Sequence, residues 1–222
     1  MTAQVDVVRN ARARRIRLSV DPRDGRVRLT LPPRASLKKA LAWASEQQGW
    51  IEAQRARIPE TQPFAAGERI PFAGGEIVIA WDAKGPRTPR LEGEKLVCGG
   101  PPDMLARRVE RWLRAEALRL LSAETEEYAA RAGVSVSRVS IGDPRGRWGS
   151  CASSGAIRYS WRLVLAPAHV RRATVAHEVA HRIHMNHSPA FHRLVALLYE
   201  ADPTPAREWL RRNGAALHRV GR

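Results

Sequence analysis

His177-Glu178-Val179-Ala180-His181-Arg182-Ile183-His184-Met185-Asn186-His187-Ser188-Pro189 is the stretch whose reading decides how this chain folds. Two histidines four apart project from one face of a helix, with a carboxylate beside the first. Zinc takes imidazole nitrogens at about 2.0–2.1 Å, so an i, i+4 pair supplies two ligands without bending the backbone. Glu178 then stands where it can take a proton from a water on the metal. Ser188 and Pro189 read as the N-cap and first residue of a new helix, so the motif helix is expected to end near Met185. His187 falls in the intervening turn, where it can fold back toward His177 and His181. His184 is its competitor, one turn farther along the same helix. Ligands at 177, 181 and 184 would spread over roughly ten ångströms of helix axis and strain a tetrahedron, so His187 is the expected third ligand. His192 reads as an exposed histidine on the next helix, where Phe191 and Leu194 are better core candidates. His169 and His218 have no constellation around them.

Upstream, Pro167 opens the motif helix. Ile157, Tyr159, Trp161 and Leu163 alternate with Arg158, Ser160 and Arg162, the pattern of a half-buried strand. That strand is expected to present its edge to an extended peptide. Before it lies Gly146-Arg147-Trp148-Gly149-Ser150-Cys151. Gly149 permits a close backbone approach, and Trp148 either walls the site or plugs the core. Cys151 reads as a buried inert thiol, with a metal-proximal thiolate as the alternative. Arg147 is a candidate to hold a substrate carboxylate or phosphate oxygen. Ser150 and Tyr159 join Arg147 and Trp148 as candidate substrate contacts, and Tyr159, Tyr199 or Arg147 is a candidate to assist an oxyanion.

Farther out, the first hundred residues read mainly as strands. Ile16, Leu18 and Val20 face Val27, Leu29 and Leu31 across the turn Asp21-Pro22-Arg23-Asp24-Gly25, giving a hairpin with one apolar and one arginine face. Ser36 caps a helix expected over about 36–57, with Leu37, Leu41, Ala44 and Ile51 on one stripe and Trp43 and Trp50 as packing residues beside it. A second hairpin pairs 69–72 with 76–81 around Ala73-Gly74-Gly75, and a short strand ends near Cys98. Gly99-Gly100-Pro101-Pro102 marks the expected boundary between halves. Beyond it, Leu105, Val109, Trp112, Leu113, Ala117, Leu120, Leu121 and Tyr128 follow helical spacing, with Gly133 suited to the C-cap. A strand is expected over 134–141.

Composition bounds the rest. The 222 residues are 44% hydrophobic and 27% charged, as in ordinary globular proteins. No apolar run approaches the roughly 20 residues of a membrane span, and none follows Met1. Cys98 and Cys151 are too few for a disulfide scaffold, so a soluble, cytoplasmic protein is expected. The formal net charge of +16 admits two readings. One is a diffusely basic solvated surface, since nearly all the basic residues are arginine and they are spread from Arg9 to Arg222. The other is functional attraction to polyanions, a nucleotide or nucleic acid.

The glycine–arginine–tryptophan segment, the 157–167 segment and the run from His177 to His192 together resemble the YgjP-type family of predicted zinc metallopeptidases, which is related to the SprT-like and WLM metallopeptidases. The likeness extends over nearly the whole chain, through the arginine-rich hairpins and Gly67-Glu68-Arg69-Ile70-Pro71-Phe72-Ala73-Gly74-Gly75. It implies three zinc ligands at His177, His181 and His187, and a catalytic glutamate at Glu178. The gap between second and third histidines is also that of metzincins, but His184 stands where those place glycine. The expected fold is α+β: a β-rich region over 1–99 with one helix, then a mainly helical zincin-like catalytic domain over 100–222 with a small antiparallel sheet. The expected function is hydrolysis of a peptide or protein substrate with one Zn2+ per chain and no membrane partner. Hydrolysis of a nucleotide phosphoanhydride is the alternative. A non-enzymatic nucleic-acid-binding module with structural zinc ranks behind both, because Glu178 is intact.

Overall fold

The structure, a computed structural model, describes residues 5–21, 24–144 and 146–222. It is α+β, and the chain divides into two compact units, Met1–Glu60 and Thr61–Arg222.

In the first unit, β1 (Val5–Arg9), β2 (Arg17–Val20) and β3 (Val27–Leu31) form one sheet in the order β1-β3-β2. The expected hairpin is the antiparallel pair β2–β3, with Leu18 opposite Leu29 and Val20 opposite Val27. Residues 22 and 23 of its turn lie outside the described residues. β1 was not anticipated; it runs parallel to β3. The helix expected over 36–57 is two helices, α1 (Leu37–Glu46) and α2 (Gln48–Ala56), broken at Gln47. Ser36 caps α1 by accepting from the Lys39 N–H. The buried stripe is also corrected. Ala40, Ala44 and Ile51 are buried, while Leu37, Leu41, Trp43 and Trp50 are exposed. Alanine has no side chain beyond Cβ, so the alanine face can approach Leu29 and Leu31 of β3 closely, and the bulky residues are left outside.

In the second unit, β4 (Arg69–Phe72), β5 (Gly75–Trp81), β6 (Arg90–Glu92) and β7 (Lys95–Cys98) form a mixed sheet ordered β4-β5-β7-β6. The β4–β5 hairpin turns through Ala73 and Gly74, both at positive φ (52° and 94°), as a two-residue hairpin turn requires. Ala73 N–H donates to Val164 O at 2.8 Å, and a Cβ on Gly74 would stand 3.1 Å from Pro167 Cα. This turn therefore lies against the start of the motif helix. The long helix α3 (Leu105–Ala132) ends at Gly133 in the left-handed conformation (φ 64°), as its spacing predicts. The third sheet comprises β8 (Arg138–Gly142), β9 (Gly149–Cys151) and β10 (Ala156–Ser160) in the order β8-β10-β9. It is mixed rather than antiparallel, because β8 and β10 run parallel. Helices α4 (Ala168–Ala180), α5 (Pro189–Tyr199) and α6 (Thr204–Leu217) complete the unit.

The expected boundary at 99/100 does not divide the chain by compactness. Ile70, Ile79 and Leu96 of the second sheet share one core with Leu113 and Leu121 of α3 and with Val175 and Val179 of α4. The strand expected through Leu163 is shorter: after Ser160 the chain enters a 3-10 helix, Trp161–Leu165. In that 3-10 helix Arg162 is buried rather than solvent-facing. Its guanidinium grips both Asp143 carboxylate oxygens (2.8 and 3.2 Å) and the carbonyls of Leu217 and Val220 (2.6 and 2.8 Å). A guanidinium so deep needs hydrogen-bonding partners, and these anchor the end of α6. The motif helix is tied down similarly. Arg171 of α4 makes a bidentate ion pair with Glu124 of α3 at 2.8–3.0 Å, both side chains buried.

Candidate metal centre

Helix α4 ends at Ala180, about a turn before the Met185 expected from sequence, and His181 is its C-cap. The next residues turn tightly: the N–H groups of Ile183 and His184 both donate to Ala180 O. Ser188 then caps α5 by accepting from Phe191 N–H, with Pro189 in the first position. The short connection carries His187 back onto the α4 face. His177, His181 and His187 place their ligand-capable nitrogens within 4.8 Å of one another. His177 Nε2 and His187 Nε2 stand 3.2 Å apart. Two nitrogens held about 2.0 Å from one tetrahedral ion would stand roughly 3.3 Å apart, so the spacing fits a shared metal. Phe191 packs against all three rings, at centroid distances of 4.5–4.9 Å.

The electrostatics favour metal over proton. Burial, reinforced by the charges of His181, His187, Arg207 and His192, pushes His177 down to about 4. Burial also lowers His181, against the pull of the His184 carbonyl. A neutral imidazole is the form that ligates. His181 Nδ1 lies 3.0 Å from His184 O. A carbonyl only accepts, so Nδ1 carries the hydrogen and Nε2 keeps its lone pair for the cluster. His184 thus contributes its backbone, and its ring is not in the cluster.

Glu178 sits one residue past His177 and is 5% exposed. Burial pushes its carboxyl up to about 7, with the Arg147 charge pulling the other way. Gly149 of β9 makes its position available: a Cβ there would stand 2.6 Å from Glu178 Cγ. Only a residue without a side chain leaves room for that carboxylate against the strand.

Beside Glu178 and His177 opens a cavity of about 250 Å³, into which Arg147 and Trp148 both face. Its other walls are mainly apolar, from Ala173, Val195, Ala206 and Leu210. Trp148 also stacks on His218 (5.1 Å between centroids), so it packs and lines at once. His218, read from sequence as having no constellation, is buried beside Asp143, 3.8 Å away. The structure also separates residues that sequence grouped with the site. Tyr159 is 0% exposed and its hydroxyl lies 3.0 Å from Thr125 Oγ1, so it belongs to the core. Tyr199 donates its hydroxyl to His169 O at 3.1 Å. Ser150 pairs with Arg158 in the β9–β10 ladder and does not line the cavity. Cys151 is half-buried, its thiol pushed up by burial, and it is not among the clustered ligands. β10 is flanked by β8 and β9, so the outer strand beside α4 is β9. Reading from sequence missed Arg207 and Leu210 of α6 and did not assign His192 to the cavity. No local spacing signals a helix that reaches the site from more than twenty residues away.

Comparisons with curated proteins and with solved structures found no match. Among the described residues, no helix is long and apolar enough to cross a membrane. Residues 14–213 match the family model described as YgjP-like, metallopeptidase domain, a span that takes in all three histidines, Glu178 and the cavity walls. The chain belongs to the YgjP-like family.

Proposed function

We propose that the protein is a zinc-dependent hydrolase that cleaves peptide bonds, with one zinc per chain held by His177, His181 and His187. The observation that carries this reading is the cluster of three imidazoles His177, His181 and His187, with the buried carboxylate of Glu178 and an open cavity beside it. A divalent zinc bound there would polarise the substrate carbonyl and acidify a water. Glu178 accepts the proton of the attacking water and delivers it to the leaving nitrogen. A buried carboxylate held beside the cluster is placed for both halves of that task. The His184 carbonyl holds the His181 ring by its Nδ1–H, and Phe191 fixes the planes of all three rings. The apolar cavity walls suit a nonpolar side chain next to the scissile bond, and the outer strand β9 offers its edge to an extended peptide.

Arg147 and Arg207 at the same cavity favour a second reading, in which the electrophile is a nucleotide phosphoanhydride. Zinc-reconstituted protein, with and without chelator, is assayed against a casein panel and against nucleoside triphosphates. Chelator-sensitive cleavage of casein supports the first reading, and chelator-sensitive phosphate or pyrophosphate release the second. No turnover of either, with zinc stoichiometric by elemental analysis, would refute both.

A further inference from the structure

A second cleft, of about 940 Å³, lies wholly within the first unit and is lined by the segment leading into β2, by β2 itself and by α1 and α2. Arg12, Arg14, Arg15 and Arg17 line it, and no carboxylate does. All four arginines are exposed, and among the described residues none of their side chains makes an ion pair. Unneutralised guanidinium groups concentrated in one concavity repel each other, so a structural role does not explain them.

The aromatic content of the cleft is equally specific. Of the seven tryptophans in the chain, only Trp43 (38%) and Trp50 (41%) are exposed, and both line this cleft. The break at Gln47 puts them on separate helices, α1 and α2, whose buried faces are supplied by Ala40, Ala44 and Ile51 instead. Burying two indoles would have stabilised the unit. Their exposure beside four arginines that have no ion-pair partner among the described residues calls for a ligand with both negative charge and flat faces.

We infer that this cleft binds single-stranded nucleic acid, with bases stacking on Trp43 and Trp50 and phosphates meeting Arg12, Arg14, Arg15 and Arg17. An acidic polypeptide would satisfy the guanidinium groups but leave the indoles without stacking partners. A duplex hides its base faces. A single strand offers charge and stacking surface together.

The test is a binding titration of the full chain with a 20-residue oligothymidylate and its uridylate counterpart, a duplex of equal length, and polyglutamate of matched charge. The readouts are oligonucleotide anisotropy and tryptophan fluorescence. The single strand is expected to quench tryptophan emission and to outcompete polyglutamate. The two single strands distinguish DNA from RNA as the ligand. Neutralising four phosphates gives a log–log salt slope of about −3. Arg14→Ala or Arg15→Ala is expected to make that slope shallower by about 0.7. Trp43→Ala and Trp50→Ala are each expected to weaken single-strand binding by roughly five- to a hundredfold, with the slope unchanged. Trp43→Phe and Trp50→Phe retain a stacking face and keep most of the affinity, which separates lost stacking from a damaged fold. Polyglutamate or duplex binding as tight as the single strand, or unchanged affinity in the alanine variants, would overturn the inference. Because the readout is binding, its outcome is independent of the hydrolase reading.

Discussion

Gly149→Ala tests the link between the β9 backbone and the reacting carboxylate. The added Cβ would lie 2.6 Å from Glu178 Cγ and 2.7 Å from Cδ, whereas ordinary contact begins at 3.4 Å. The Glu178 side chain must therefore retreat by about 1 Å. It is the flexible partner in the clash, so the fold accommodates the change at no more than the usual overpacking cost of about 1–3 kcal/mol. Catalysis is less forgiving. Misplacing a reacting group by about 1 Å costs on the order of a hundredfold, or about 2.7 kcal/mol of barrier. The expectation is a fall in kcat of about that size, with zinc content unchanged, since no ligand is touched. Initial rates on the best substrate of the panel, elemental analysis and a urea melt measure the three quantities separately. A variant with full kcat would refute the claim that Glu178 acts from its observed position. A variant that loses zinc would refute the claim that Gly149 acts through Glu178 alone.

Glu178→Gln removes the base but no ligand; turnover is expected to fall by about 10²–10⁴-fold with zinc retained, and undiminished turnover would mean that another group activates the water. His187→Ala is expected to lose zinc to a competing chelator far more readily than His184→Ala, and the reverse ranking would misassign the third ligand. Glu124→Ala leaves the Arg171 guanidinium buried without its partner, and should destabilise the protein by about 3–5 kcal/mol in urea; a change under 1 kcal/mol would mean that the pair does not hold α4 to α3. Burial raises the Asp143 carboxyl, but the Arg162 hydrogen bonds and charge, with His218 and Arg222, hold it below the usual carboxylate range. Its contribution to stability is therefore present above about pH 4 and lost as pH falls through the folded value, so Asp143→Asn should flatten the acid limb of stability against pH.

What sequence spacing resolves is what local backbone geometry dictates. His177 and His181 share a helix face because they are four apart, and Ser188-Pro189 favours a helix start by its own local chemistry. The β4–β5 hairpin and the Gly133 cap are legible for the same reason, since a two-residue turn and a left-handed cap make their demands within a few residues. The helix end differs by about a turn because Ser188-Pro189 marks only where the next helix begins. The tight turn in which the Ile183 and His184 N–H groups donate to Ala180 O occupies the residues between.

Residues far apart in sequence carry no such signal. Tyr159 has the chemistry of an oxyanion donor, yet it lies on the buried face of its strand, where its hydroxyl meets Thr125 of α3. Arg162 alternates like a solvent-facing residue, but Asp143 and the carbonyls of Leu217 and Val220 converge to satisfy it. Trp43 and Trp50 read as packing residues because tryptophan usually is one. The stripe that packs is set by how close α1 must come to β3, and alanine wins that contest. The indoles are then left beside a run of arginines that, in the sequence, looks no more concentrated than the rest of a basic chain. Gly149 is the instructive intermediate case. Its close approach was legible, but its partner, Glu178, lies 29 positions along the chain, and only the fold of β9 against α4 brings the two together.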